Sequence, residues 1–258
     1  MKAPDLLLDM LLASGQPVTT HDLLRAGNLF GVRAIAIRVA LSRLVADGKI
    51  RRNARGSYAL AKREAGLLRA VMDWRTKHSL MQPWQGAWIA IQDSDVARSD
   101  KIAWRHHRLA LDLWGFRQLR PGINVRPANL RYAVEELSQQ LSEVGLSPKA
   151  FAFQIDALPS RIDEEARKLW RAEQIVEMNK SLLNRLSVSL KAIRSRPLDD
   201  EAVAESFLMG REVIACLVKD PLLPPELMPS TSRVRLYAAA QEYQEHGKLL
   251  WQRWLTIG

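Results

Sequence analysis

Only one cysteine, Cys216, stands among 258 residues. That excludes an intrachain disulfide and a cysteine-based zinc site. Set among Val213, Ile214, Leu217 and Val218, it reads as a buried small hydrophobe. No apolar run approaches the roughly 20 residues of a membrane span. No signal peptide is visible ahead of the amphipathic stretch that begins at Pro4, so a cytoplasmic location is expected. A catalytic triad, a phosphate-cradling glycine loop and a carboxylate cluster are all missing from the pattern. Nothing in it therefore argues for an enzyme, and no catalytic residue, metal or resident cofactor is assigned. His106 and His107 are adjacent, point in different directions along a helix and cannot chelate one ion together; surface positions are expected for them.

Negative charge is also short: 28 Asp or Glu face 38 Lys or Arg, for a net charge of +10. The excess is not spread evenly. Residues 1–62 hold ten Lys or Arg against four Asp, a net +6, while the remaining three quarters of the chain carries +4. Concentrated positive charge is the footprint of a polyanion partner, because neutralising phosphates releases condensed counterions. The partner expected is double-stranded DNA.

The basic residues fall on a recognisable pattern. Residues 4–14 read as a first helix with Leu7, Met10, Leu11 and Leu8 inward. Gly15-Gln16-Pro17 breaks it, and Val18 to Asp22 reads as a helix start, with a threonine hydroxyl as cap and Asp22 at the positive end. A second helix runs to about Asn28, and Leu29-Phe30-Gly31 turns into a third. On a 3.6-residue period Ile37, Ala40, Leu41 and Leu44 share its core face. Arg38 and Ser42 fall on the far side, Arg43 on the flank and Arg33 in the first turn, where they could meet a groove. Ile35 and Val39 also fall outward, for packing on another domain or for contact with thymine methyl groups. Asp47-Gly48 stops the helix. Lys49, Arg51, Arg52 and Arg55 then crowd a hairpin, set to grip phosphates or a narrow minor groove, or simply to be solvated. This is the layout of a winged helix-turn-helix over residues 1–61.

Residues 62–83 form a linker with helical spacing. From 84 to 160 the pattern is βαββαβ: AWIAIQ, a helix over 99–113 with Ile102, Leu109 and Leu113 inward, two strands turning at Pro121-Gly122, a helix over 129–144, and a strand over 151–155. That order is ferredoxin-like. Residues 161–258 carry no convincing strand; helices are expected over about 163–194, 199–218 and 231–256. Charges there nearly cancel, 15 Lys or Arg against 14 Asp or Glu, which suits a dimerisation region better than a polyanion site. The fold class expected is α+β.

Several motifs occur in a telling order: Phe30-Gly31, then Arg38 to Leu44 (RVALSRL) and Asp47-Gly48. Further on come Trp84-Gln85-Gly86-Ala87-Trp88, Trp114-Gly115-Phe116 with Leu119, Pro121-Gly122 and Pro127, and lastly Asp220 to Pro229 (DPLLPPELMP). Together they resemble the PaaX family of bacterial repressors across essentially the whole chain. The resemblance implies a homodimeric, cytoplasmic repressor of the phenylacetate-catabolism type. Its middle domain would be Cas2-like, and it would bind a palindromic operator and be released by an aryl- or acyl-CoA thioester such as phenylacetyl-CoA. Where the family usually continues with Trp-Pro-Gly after Met228-Pro229, this chain has Ser230-Thr231-Ser232, which bears on the identity of the inducer. A CoA ester needs arginines for its phosphates, and Arg105, Arg108, Arg117 and Arg120 surround Trp114, itself a candidate for stacking on the acyl group along with Trp88 and Trp104. The plainer reading of those arginines is a solvated helix and strand edge. The rival functions are a metal-dependent Cas2-like nuclease using Asp93 and Asp95, or a non-specific DNA or protein interaction module.

Overall fold

The computed structural model describes residues 1–53, 56–61 and 73–257. The chain is α+β, with helices joined to two small antiparallel sheets. Its compact units are not contiguous in sequence. One gathers Met1–Met72, Arg185–Val213 and Ala239–Gly258; the other gathers Asp73–Asn184 and Ile214–Ala238.

In the first unit, α1 (Ala3–Ser14) starts with a proline in its first turn and ends on Gly15, whose φ of 63° a side chain would resist. It buries Leu6, Leu7, Met10 and Leu11, so Leu6 takes the inward place expected of Leu8, which is only half-buried. Val18–Thr19, read from sequence as part of a helix start, is a short strand, β1. Thr19 still caps α2 (Thr20–Leu29), accepting from the Asp22 amide at 3.1 Å. Helix α3 (Ala34–Ala46) buries Ile37, Ala40, Leu41 and Leu44, as its periodicity predicts. It closes where Gly48 turns left-handed and the Lys49 amide reaches back to Leu44 O at 2.9 Å. A Cβ on Gly27 would come within 2.8 Å of Ile37, so a glycine lets α2 approach α3. Strands β2 (Ile50–Arg52) and β3 (Ser57–Leu60) form a hairpin, and β1 adds to it in the order β1-β3-β2. The core is completed by Val203 and Trp254, with Phe207 and Trp251 packed on it. These come from α9 (Asp200–Val218) and α10 (Thr231–Ile257). Truncating a fully buried member such as Leu7 to alanine costs about 2–5 kcal/mol.

The second unit opens with a short helix, α4 (Trp74–Lys77), which buries Trp74; residues 62–72 of the expected linker helix lie outside the described residues. Strand β4 (Trp88–Gln92) is followed by α5 (Lys101–Leu113), β5 (Arg117–Arg120), β6 (Ile123–Pro127), α6 (Val134–Glu143) and β7 (Phe151–Ile155). The sheet order is β5-β6-β4-β7 with every neighbour antiparallel. Central β4 is apolar and buried nearly throughout, as a strand covered on both faces must be. Ile102 is 67% exposed, not inward. The single helix expected over 163–194 is two, α7 (Ser160–Arg167) and α8 (Ala172–Ser195). The break falls at Arg171, held at a φ of 47°. Between the two helices Trp170 turns into the core, stacks on Trp88 and donates to Gly115 O at 2.8 Å.

Candidate nucleic-acid interface

Helix α3 has two sharply different sides. At about 100° per residue, Ile35, Val39, Ser42 and Ala46 lie within roughly 60° of one another, and the buried Ile37, Ala40, Leu41 and Leu44 lie on the opposite side. The outward strip is exposed: 74% for Ile35 and 46% for Val39. Arg38 and Arg43 are exposed on its two flanks, and Ser42 lies within the strip itself. Arg33 is not in the first turn but just ahead of it, as the N-cap, with an exposed side chain. The helix is therefore a small apolar and hydroxyl strip between arginines, not an arginine face.

The turn that presents α3 is tight. Gly31 takes a φ of 68°, its amide donates to Asn28 O at 2.9 Å, and the Val32 amide donates to Gly27 O at 2.8 Å. The hairpin follows with Ile50 paired to Leu60, Arg51 to Ala59 and Arg52 to Tyr58. Ile50 is buried, Arg51 and Arg52 are exposed, and Lys49 is half-buried. Arg51 donates to Asn53 Oδ1 at 3.1 Å; Arg55 lies outside the described residues. Thr20, which nothing in the sequence singles out, ties this hairpin down. Its hydroxyl donates to Gly56 O at 2.7 Å and its amide to the same oxygen at 3.1 Å. The start of α2 is thus tied to the hairpin at Gly56, just ahead of β3. Among the described residues no ion pair engages Arg33, Arg38, Arg43, Lys49, Arg51 or Arg52.

The arginines named for a CoA ester lie on two elements, Arg105 and Arg108 on α5 and Arg117 and Arg120 on β5. Arg105 is exposed, and Arg108 donates to Asn124 Oδ1 at 3.4 Å. Arg117 binds Asp112 at 3.0 Å and Phe116 O at 2.8 Å, while Arg120 pairs with Glu165 at 2.6 Å. The Arg120 guanidinium holds the Glu165 carboxyl below its ordinary value. Trp114 is buried edge-on to Tyr132, Trp104 stacks on His107, and Trp88 is enclosed by Trp84 and Trp170.

The second unit instead gathers cations that the sequence did not flag. Lys77 Nζ donates to Leu113 O, Val218 O and Asp220 O at 2.9, 2.6 and 2.9 Å. Leu113 and Val218 close α5 and α9, so the ammonium meets the negative ends of two helices. Burial pushes its pKa down to about 7 with help from Arg126 and Arg233, against the opposing pull of Asp220. Arg126 donates to Trp114 O, Pro127 O and Asn129 Oδ1, and Arg233 to Asp220 Oδ2 and Leu223 O. Together with Asn129, which donates to Leu222 O, they hold the Asp220–Leu223 segment, where Leu222 sits at a φ of 53°. A Cβ on Gly115 would come within 2.7 Å of Pro221, so this segment also demands a glycine opposite.

Three further readings of single residues change. His107 is not at the surface: it is fully buried, accepts from the Ser147 amide through Nδ1 at 3.2 Å and so donates through Nε2 to Asp93 Oδ2 at 3.0 Å. Asp93, 3% exposed, also accepts from Asn124 Nδ2 at 2.9 Å, while Asp95 is exposed. A carboxylate used this way orients a buried histidine and an asparagine. Cys216 is half-buried, with Sγ 4.0 Å from Asn179 Oδ1.

With this geometry in place, comparison with known proteins becomes informative. Residues 5–64 match the family model described as PaaX-like protein. The match runs from α1 through β3, which bears out the PaaX resemblance over the head, and the PaaX-like family is one of regulators. A solved structure, Uncharacterized protein Rv0674 from Mycobacterium tuberculosis, is similar over 96% of this chain and 98% of its own, at 22% identity and a TM-score of 0.59. That likeness concerns the fold alone. No curated protein matches the chain. Among the described residues no helix is long and apolar enough to cross a membrane.

Proposed function

We infer that this chain is a DNA-binding transcriptional repressor of the PaaX type. Its helix α3 enters the major groove while the β2–β3 wing holds phosphates. The observation that carries the reading is a set of exposed side chains on two elements: Arg33 at the N-cap of α3 with Arg38, Ser42 and Arg43 along its outward side and flanks, and Arg51 and Arg52 on the hairpin. Exposed guanidinium groups without carboxylate partners are suited to phosphate oxygens and guanine edges. The reading extends to a homodimer on a palindromic operator, with half-sites about one helical turn apart or a multiple of it. The middle of the chain is read as ferredoxin-like and Cas2-like, supported by the strand order β5-β6-β4-β7. Release by an aryl- or acyl-CoA thioester is supported by the family resemblance, and requires an effector that prefers a dimer whose heads miss the half-site spacing.

The test is fluorescence anisotropy of the full-length protein on duplexes from its own promoter and on scrambled duplexes at one salt concentration. Tighter binding to the promoter, weakened by phenylacetyl-CoA, is expected. Equal affinity for both duplexes removes the repressor in favour of a non-specific binder. Metal-dependent cleavage abolished by Asp93→Ala would establish the nuclease.

A further inference from the structure

The exposed strip of α3 poses a question that its arginines do not answer. Ile35 and Val39 lie one turn apart near the middle of the side facing away from the core, and both are among the exposed large apolar residues of the chain. Exposed aliphatic side chains are ordinary when scattered, but these two lie one turn apart and are flanked by Arg38 and Arg43, with Arg33 exposed at the helix start. The surrounding positive charge selects a polyanion as the surface that covers them, and the floor of the major groove offers one apolar group, the C5-methyl of thymine. Arg38 and Arg43 lie exposed on the flanks of a strip formed by Ile35, Val39 and Ser42, an arrangement that suits phosphates on either side and base edges between.

We propose that Ile35 and Val39 read thymine C5-methyl groups, so that each operator half-site carries thymine at one or two positions fixed by these side chains. This rests on the operator-binding reading and adds to it the base chemistry that α3 selects. Ser42 supplies the polar member of the same strip, and Arg38 and Arg43 flank it, Arg38 within reach of base edges.

The experiment uses the full chain. Duplexes selected from a randomised library define the preferred half-site, and each thymine in it is then replaced singly by uracil, which removes only the methyl group. At one or two positions the replacement weakens binding about fourfold, the value of one buried carbon group. In Ile35→Ala or Val39→Ala the same replacement loses its effect, with thermal stability unchanged because both side chains are exposed. A preferred half-site indifferent to every uracil, or a methyl effect that survives both alanine variants, overturns this proposal and leaves the operator reading intact. A library that yields no preferred sequence overturns both.

Discussion

The two units use the same residue types in opposite ways. In the first, Arg33, Arg38, Arg43, Arg51 and Arg52 point outward. In the second, Arg126 and Arg233 are withdrawn from water and Lys77 is half-buried, and their donors go mainly to carbonyls and to the one carboxylate of Asp220. A buried cation is costly unless most of its donors are matched, as they are here except for Arg233 Nη2, which finds no partner among the described residues; the second set is therefore bound up with folding. An exposed cation costs the fold little and keeps its charge for a partner. Formal charge does not separate the two sets; burial does.

Substitutions should divide along the same line. The largest effect expected is Asp220→Ala, which leaves Arg233 buried without its carboxylate; about 3–5 kcal/mol of stability is lost, read by denaturant unfolding. Arg38→Ala should leave unfolding within about 0.5 kcal/mol of the wild type. Its cost appears in DNA affinity, about 1–3 kcal/mol with a relaxed base preference, measured by competition between duplexes. If Arg38→Ala unfolded the protein and Asp220→Ala did not, the division between the units would be wrong.

Lys77 sharpens the comparison through pH. Its folded pKa of about 7 lies below the ordinary 10.5, so between those values the unfolded chain binds more protons than the folded one. Stability from this group therefore rises with pH across the window from about 7 to 10.5. Chemical denaturation at pH 7 and pH 9 should show the rise in the wild type, and Lys77→Met should lack it. Smaller again is Thr20→Val, which removes the hydroxyl bond to Gly56 O and costs about 1 kcal/mol. The loosened wing should weaken binding to promoter and scrambled duplexes alike, in contrast to Arg38→Ala.

What could be read from sequence was whatever depends on local period. The buried side of α3, the short apolar run and turn residues that place β4 to β7, and the spans of α9 and α10 all follow from patterns along a few turns or a few residues. Contacts between distant residues were not legible. Thr20 meets Gly56, Asp93 meets His107 and the head's core takes in Val203 and Trp254, and no local pattern announces any of these. The break between α7 and α8 carries neither glycine nor proline; it follows Trp170, whose burial and bond to Gly115 O outweigh helical continuity. The four arginines proposed for an effector were grouped by nearness in sequence, and sequence does not show that Arg108, Arg117 and Arg120 meet Asn124, Asp112 and Glu165. Ile35 and Val39 fall outward on the same helical period, but the sequence leaves open whether another domain or a base edge covers them.

The central claim is that the head's exposed cations exist to neutralise DNA phosphates. Its most direct test is the salt dependence of affinity for the promoter duplex, wild type against Arg52→Ala. The account predicts that affinity falls steeply with salt and that the slope of log affinity against log salt shrinks by about one in the variant, for promoter and scrambled DNA alike. An unchanged slope, or affinity indifferent to salt, would contradict it.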